Sequence, residues 1–203
     1  GKATGVDQRD GAALIATTAT GTVVKGQNEN GEFSIEKGKA EKVLLENGGR
    51  LTVVNGTTAN NTTIRDGGTL EVWSGGNATG VKQEEGAALI ATTFTGTVVK
   101  GQNENGEFSI ENGQAEKVLL ENGGLLTVVN GTTANNTTIR DGGKLIVNDG
   151  GTTRNTGIES GGLQTVNAGG KAEDTIINEG GLMLNAGEDS GTTVKDGGVY
   201  ELG

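Results

Sequence analysis

The chain has no cysteine, no proline and no histidine in 203 residues, and its aromatics amount to one Trp, one Tyr and three Phe. Without cysteine or histidine there is no thiol nucleophile, no imidazole base and no common zinc site. The absence of cysteine also fits an exported chain that crosses an oxidising space without forming disulfides. Glycine is abundant, at 39 residues, but the lack of proline excludes collagen. It also suits a chain in which every strand pairs on both sides, because each amide hydrogen is then used in a ladder. The scarcity of aromatics removes the stacking platform that glycan-cleaving β-helices use. Acidic neighbours such as Glu84-Glu85 and Glu188-Asp189 therefore read as solvated turn charge and not as a glycosidase pair. The chain reads as a non-enzyme, and no cofactor is implied. With 26 acidic against 16 basic residues, the net charge is -10 and no basic cluster stands out, which argues against nucleic acid and anionic membranes. No apolar run approaches the roughly 18–20 residues of a membrane span, and no signal peptide is seen.

What is present is a period. Glycine pairs recur about every nineteen residues at Gly48-Gly49, Gly67-Gly68, Gly123-Gly124, Gly142-Gly143, Gly161-Gly162, Gly180-Gly181 and Gly197-Gly198. Single glycines at Gly11, Gly31, Gly86 and Gly106 hold the same frame, so about eleven units fit the chain. Such a period marks a stacked repeat. Around each glycine corner lie short β-branched runs with period two. In them Ala40 aligns with Ala59, Leu45 with Ile64, Leu51 with Leu70 and Val53 with Val72. These runs are strands, and the aligned residues point inward while Lys39, Glu41, Arg50, Thr52 and Glu71 point to solvent. No helical stripe occurs, which excludes the helical solenoids. The fold expected is all-β: a right-handed parallel β-helix of about eleven coils of roughly 19 residues, with glycine at corners that need positive φ.

Residues 1–75 and 76–150 align without a gap and differ at only twelve positions: 2, 7, 9, 10, 19, 37, 39, 50, 69, 71, 73 and 74, each against the residue 75 further on. A block has been copied in tandem, which a solenoid tolerates because both ends of each block are alike. Further coils fill 151–203, and the whole of 1–203 is expected to be one β-helix fragment. Its first residues already follow the repeat, Gly1-Lys2-Ala3-Thr4-Gly5-Val6 matching Gly76-Asn77-Ala78-Thr79-Gly80-Val81, so a piece of a longer protein is expected. One unit departs from the frame, from Val23 to Ile35 and again from Val98 to Ile110. Its Asn30-Gly31 turn signal predicts a hairpin or a change of direction, with Phe33 in the core.

Candidate functional residues are few. Asp141-Gly142-Gly143 and Asp149-Gly150-Gly151 share residue types with calcium-binding nonapeptide repeats, but the order and period differ, so they read as turns. Thr57, Thr58, Asn60 and Asn61, repeated as Thr132, Thr133, Asn135 and Asn136 and continued by Asn155, predict polar columns along one edge. A row of hydrogen-bonding groups at about 4.8 Å intervals suits lengthwise contact with a second rod. The same columns also serve simply to solvate the coils. Trp73 follows the inward Val72 and is expected outside, where it offers an anchor for a partner. Its counterpart in the second copy is Asn148, so no periodic feature requires it.

The order of unit types carries a resemblance. Val81-Lys82-Gln83-Glu84-Glu85-Gly86-Ala87-Ala88-Leu89-Ile90, then Gly106-Glu107-Phe108-Ser109-Ile110, then Lys117-Val118-Leu119-Leu120-Glu121-Asn122-Gly123-Gly124, resembles the passenger of self-associating autotransporter adhesins. This is the family of antigen 43 and the adhesin involved in diffuse adherence, and Thr152 to Ala168 fits its degenerate repeat. The resemblance implies a type V secreted β-helix on the Gram-negative cell surface, held at the outer membrane by a C-terminal barrel outside this chain. It further implies homotypic association of passengers on neighbouring cells, biofilm formation, contact with host cells in some members and heptose on Ser or Thr in some. A host-receptor or glycan-binding adhesin without self-association is the alternative, acting through Trp73 or the hairpins.

Overall fold

The computed structural model describes residues 1–203 and contains strands, turns and no helix. Short strands stack in parallel on three faces, and each coil visits the faces in the same order. The first coils show the path. β1 (Lys2–Asp7) runs along a long face and β2 (Ile15–Thr17) lies on a second. A hairpin follows, β3 (Val23–Asn28) with β4 (Gly31–Glu36). The next coil is then β5 (Lys39–Glu41) on the long face, β6 (Leu44–Leu45) on a third face and β7 (Arg50–Val53) on the second. Leu51 pairs with Leu70 and Val53 with Val72, nineteen residues apart in register, and Leu126 pairs with Leu145 in the same way. The second face is a nine-stranded sheet. The eleven units of the sequence are therefore nine coils that supply a strand to this face, and two hairpins that do not.

Side-chain alternation puts the expected residues inside. Ala40, Val43, Leu45, Leu51, Val53, Ala59, Ile64 and Leu70 have no exposed surface, and Phe33 is buried as well. They belong to one core cluster of 33 residues that runs the length of the rod. Each buried Leu or Ile contributes about 1.5–3 kcal/mol, so the ladder and the core reinforce one another coil by coil.

The glycine pairs divide their labour. Gly67 has φ +78, the left-handed conformation that turns the chain from the third face to the second. Gly68 does not share that conformation. It is required because a Cβ there would lie 2.2 Å from the carbonyl oxygen of Leu45 in the coil below. Sequence reasoning assigns both members to positive φ; the second is in fact a spacing residue.

The irregular unit is an antiparallel hairpin inserted into the long face. Ile35 pairs with Val24 on one side and with Ala40 on the other. The second copy repeats this, with Ile110 between Val99 and Ala115. The long face therefore takes three strand-to-strand steps from β1 to β5, whereas the second face takes one, Ile15 pairing directly with Arg50. The mismatch is closed by side chains at the corners. Gln8 Nε2 donates to Leu44 O at 3.1 Å, Gly11 N donates to Glu46 Oε2 at 3.0 Å, and Val54 N donates to Thr18 Oγ1 at 3.1 Å. Gln83, Glu121 and Thr93 make the same bonds in the second copy.

The hairpin tip lies over the third face. Asn28 Nδ2 donates to Lys42 O, Asn30 Nδ2 donates to Thr63 Oγ1, and Glu29 pairs with Arg65 at 2.8 Å. Beneath it Leu44, which is outside the core cluster, is only 1% exposed, as is Leu119 in the second copy. Ile176 stands in the same column as Leu119 with no hairpin above it, and is 41% exposed.

Candidate interaction surface

The polar columns form at the corner between the long and third faces, and backbone conformation selects their residues. Lys42, Asn61, Lys117, Asn136, Asn155 and Asp174 occupy equivalent positions, all with φ between 55 and 58. Asparagine tolerates this left-handed region better than other residues with a Cβ, so the asparagines have a structural reason to be there. Their side chains remain available at the surface. Asn61 Nδ2 donates to Glu41 Oε1 at 2.8 Å, Asn136 Nδ2 to Glu116 Oε1 at 2.5 Å, and Thr79 Oγ1 to Asn60 Oδ1 at 3.0 Å. Asn136 and Asn155 share a shallow recess of about 410 Å³ with Asn105 and Asp174.

Of the residues expected on this edge, Asn61, Asn136 and Asn155 are exposed, and Thr58, Asn60, Thr133 and Asn135 are half-buried. Thr57 and Thr132 are not on the surface. Each is buried at the corner between the second and long faces, its hydroxyl bonded to Val54 O or Val129 O and to the hydroxyl of Thr18 or Thr93. They brace the mismatch at the hairpin coils and have no hydroxyl left for a partner. A threonine doublet on a strand puts one member on each side, and Thr58 and Thr133 are the outer ones.

Trp73 is 52% exposed at the end of Thr69–Val72, as expected. It lines a shallow recess with Val72, Ser74, Ile90 and Thr92, and Phe94, 48% exposed, lies on the following coil.

A surface that sequence reasoning missed lies on the outside of the second face. Two outward columns run along it: Ile90, Leu125, Lys144, Leu163, Leu182 and Val199; and Thr92, Thr127, Ile146, Thr165, Leu184 and Glu201. In the first copy the positions of Leu125 and Ile146 hold Arg50 and Glu71, which form an ion pair at 2.6 Å. The charged pair has become an aliphatic pair in an otherwise near-identical copy. The signal for it is the loss of alternation in Leu125-Leu126, Leu145-Ile146-Val147 and Leu182-Met183-Leu184, where consecutive apolar residues cannot all face the core.

Acidic groups gather at the hairpin tips. Asp10, Glu29 and Glu46 bring carboxylate oxygens within 4.8 Å of one another, and Arg65 sits against two of them. The second copy places Arg140 beside Glu104 and Glu121. Burial pushes the Glu121 carboxyl above its ordinary range, offset in part by the Gly86 amide and by Arg140. No helix of the chain is long and apolar enough to cross a membrane, which says nothing of strand-built membrane barrels.

Comparison with known proteins matches the repeats to one family model, the adhesin of bacterial autotransporter system, probable stalk, over residues 25–87, 100–162 and 149–198. The probable autotransporter YpjA of Escherichia coli K12 is 42% identical over 139 residues, covering 59% of this chain and 9% of that protein. The autotransporter adhesin/invasin TibA of E. coli O78:H11 is 36% identical over 150 residues, covering 60% of this chain and 15% of TibA. Autotransporter CRAC of Citrobacter rodentium is 43% identical over 112 residues, covering 55% of this chain and 7% of CRAC. The chain thus spans under a sixth of the length of these relatives. A crystal structure of a TibC-catalysed hyper-glycosylated TibA fragment aligns over 100% of this chain and 97% of the fragment, at 20% identity and a TM-score of 0.37. At that score the fold rests on the strand pairing described above.

Proposed function

Because the chain belongs to the family of adhesins of the bacterial autotransporter system, whose passengers are exported to the Gram-negative cell surface, we propose that it is a stretch of adhesin stalk that binds other copies of itself lengthwise. Through such contacts between passengers on neighbouring cells it drives autoaggregation and biofilm formation. One observation carries this reading: from Gln114 to Glu173 strand register is kept from coil to coil, so surface side chains recur there as straight columns along the rod. A single hydrogen bond between two such rods nets only about 0.5–1.5 kcal/mol, but rows of them act together. No catalytic role is assigned to any residue.

The test is settling of cells that display the passenger. With Asn60, Asn61, Asn135 and Asn136 replaced by Lys, aggregation mediated by the polar edge is lost. Unchanged settling with unchanged surface display removes that edge from the contact.

A second reading, a host-receptor or glycan contact without self-association, is favoured by one feature, the exposed Trp73 with an exposed Phe94 on the following coil. Large aromatics on a surface are common anchors of binding energy. Trp73→Ala would then reduce adherence to host cells and leave settling intact.

A further inference from the structure

We infer that the outer side of the second face, from Lys144 to Val199, is a docking surface for a second copy of this chain laid antiparallel. The inference rests on the self-association reading above and moves its contact away from the polar edge.

Six coils present Ile90, Leu125, Leu163, Leu182 and Val199 in one column, with Ile146 and Leu184 in the next. Apart from Val199, which lies on the last coil of the chain, these residues are half-buried and carry no covering element, unlike Leu44 and Leu119 on the third face. A periodic core does not explain them, since the inward residues between them, Leu126, Leu145, Val147 and Met183, are already fully buried. The duplicated block makes the point directly: Arg50 and Glu71 serve the same two positions in the first copy.

Charge selects the occupant. The chain is strongly acidic, at -10, so an acidic partner that was not complementary would be repelled. From Leu125 onward the two columns hold one charge of each sign, Lys144 and Glu201, both exposed and neither in an ion pair within the chain. They stand three coils apart, at the two ends of the Leu163 and Leu182 coils. An antiparallel second copy centred between Leu163 and Leu182 brings each Lys144 to the coil that carries the other copy's Glu201, twice by symmetry. It also sets Leu163 over Leu182.

The size of the surface sets the strength. In this arrangement four coils of each copy, those of Lys144, Leu163, Leu182 and Val199, face one another; about 4.8 Å apart and each four residues wide at about 3.3 Å, they give about 250 Å² per copy. Stable interfaces bury about 800 Å² per partner, so a single pair is weak and concentration-dependent. Many pairs acting between arrays are not weak.

The chain has no cysteine, so disulfide trapping can be made site-specific. Leu163→Cys and Leu182→Cys chains are mixed at about 1 mM under mild oxidation, with Asn136→Cys for the polar edge and Thr69→Cys for the first-copy part of the second face as comparisons. Mixed Leu163→Cys/Leu182→Cys dimers forming about tenfold faster than either comparison are the expected result. Lys144→Glu introduced into both partners slows trapping about tenfold, and adding Glu201→Lys restores it. Faster trapping of Asn136→Cys overturns this surface and leaves self-association standing. Equal, slow trapping at all sites, with a parent chain that sediments as a monomer at the same concentration, overturns both.

Discussion

The side-chain amide of Gln83 donates to the carbonyl of Leu119, 36 residues away, at 3.1 Å. A backbone amide would make this bond in a regular coil, but the hairpin between them has lifted the coils apart. Gln8 and Leu44 repeat the arrangement. Gln83 is buried and donates also to Ala87 O.

Gln83→Ala therefore leaves two carbonyls without their donor and opens space in a packed corner. Its expected cost is about 2–4 kcal/mol, from unsatisfied buried polar groups and a small cavity. Solenoids unfold in parts, so the check is amide exchange, with protection lost first around 83–92 and 119–128.

The two members of a glycine pair respond differently to alanine. Gly123 has φ +97, and a methyl group added to it would meet nothing within 4 Å, so Gly123→Ala carries only the left-handed penalty of about 1–2 kcal/mol. Gly143 would place its Cβ 2.1 Å from Leu120 O, and the coils must separate to admit it. Gly143→Ala lowers the melting temperature more than Gly123→Ala does; equal effects would remove the spacing role.

The hairpin tips are held by few bonds. Glu104 pairs with Arg140 at 2.8 Å, and Asn105 Nδ2 donates to Thr138 Oγ1 at 3.1 Å. Glu104→Ala with Asn105→Ala frees the tip and uncovers Leu119. Amides of 98–111 then exchange faster and binding of an apolar dye rises, while the neighbouring coils 144–185 keep their protection.

Glu121 gives the rod a pH dependence. Its carboxyl in the folded chain lies above the ordinary value of 4.5, because of burial first. The folded chain therefore binds more protons than the unfolded one from pH 4.5 up to the raised value. Stability falls as pH rises through that interval and is level above it. Glu121→Gln removes this slope and keeps an oxygen to accept the Gly86 amide. Relative to the parent, the variant gains more melting temperature at about pH 7 than at about pH 4.

The coil is legible in the sequence because its rules are local. A glycine pair turns the chain, and alternation through Leu51, Thr52 and Val53 decides which side chains go in. The hairpin announces itself as a break in that pattern, but its placement does not. That Ile35 pairs with both Val24 and Ala40 is a fact about three segments at once. The candidate surface is harder for two reasons. Asparagine at 61, 136 and 155 satisfies a left-handed backbone as well as a polar edge, and one residue type cannot tell the two apart. Thr57 and Thr58 are adjacent and chemically identical, yet one closes a corner and the other faces water. Leu125 and Ile146 hide beside true core residues: the loss of alternation flags the run, and register decides which of its members face out.

The copied block carries both its hairpin and its bracing residues, and it rejoins the ladder with the same side facing in: Leu70 pairs with Leu89, and Ala91, two residues on, pairs with Leu126. Gain or loss of a 75-residue block lengthens or shortens the rod, and because Arg50 and Glu71 stand where the other copy has Leu125 and Ile146, which copy is gained or lost decides how much of the second face is aliphatic. Rod length is thus set by the number of blocks, and the chemistry of the outer side of the second face by single outward residues such as Arg50 or Leu125.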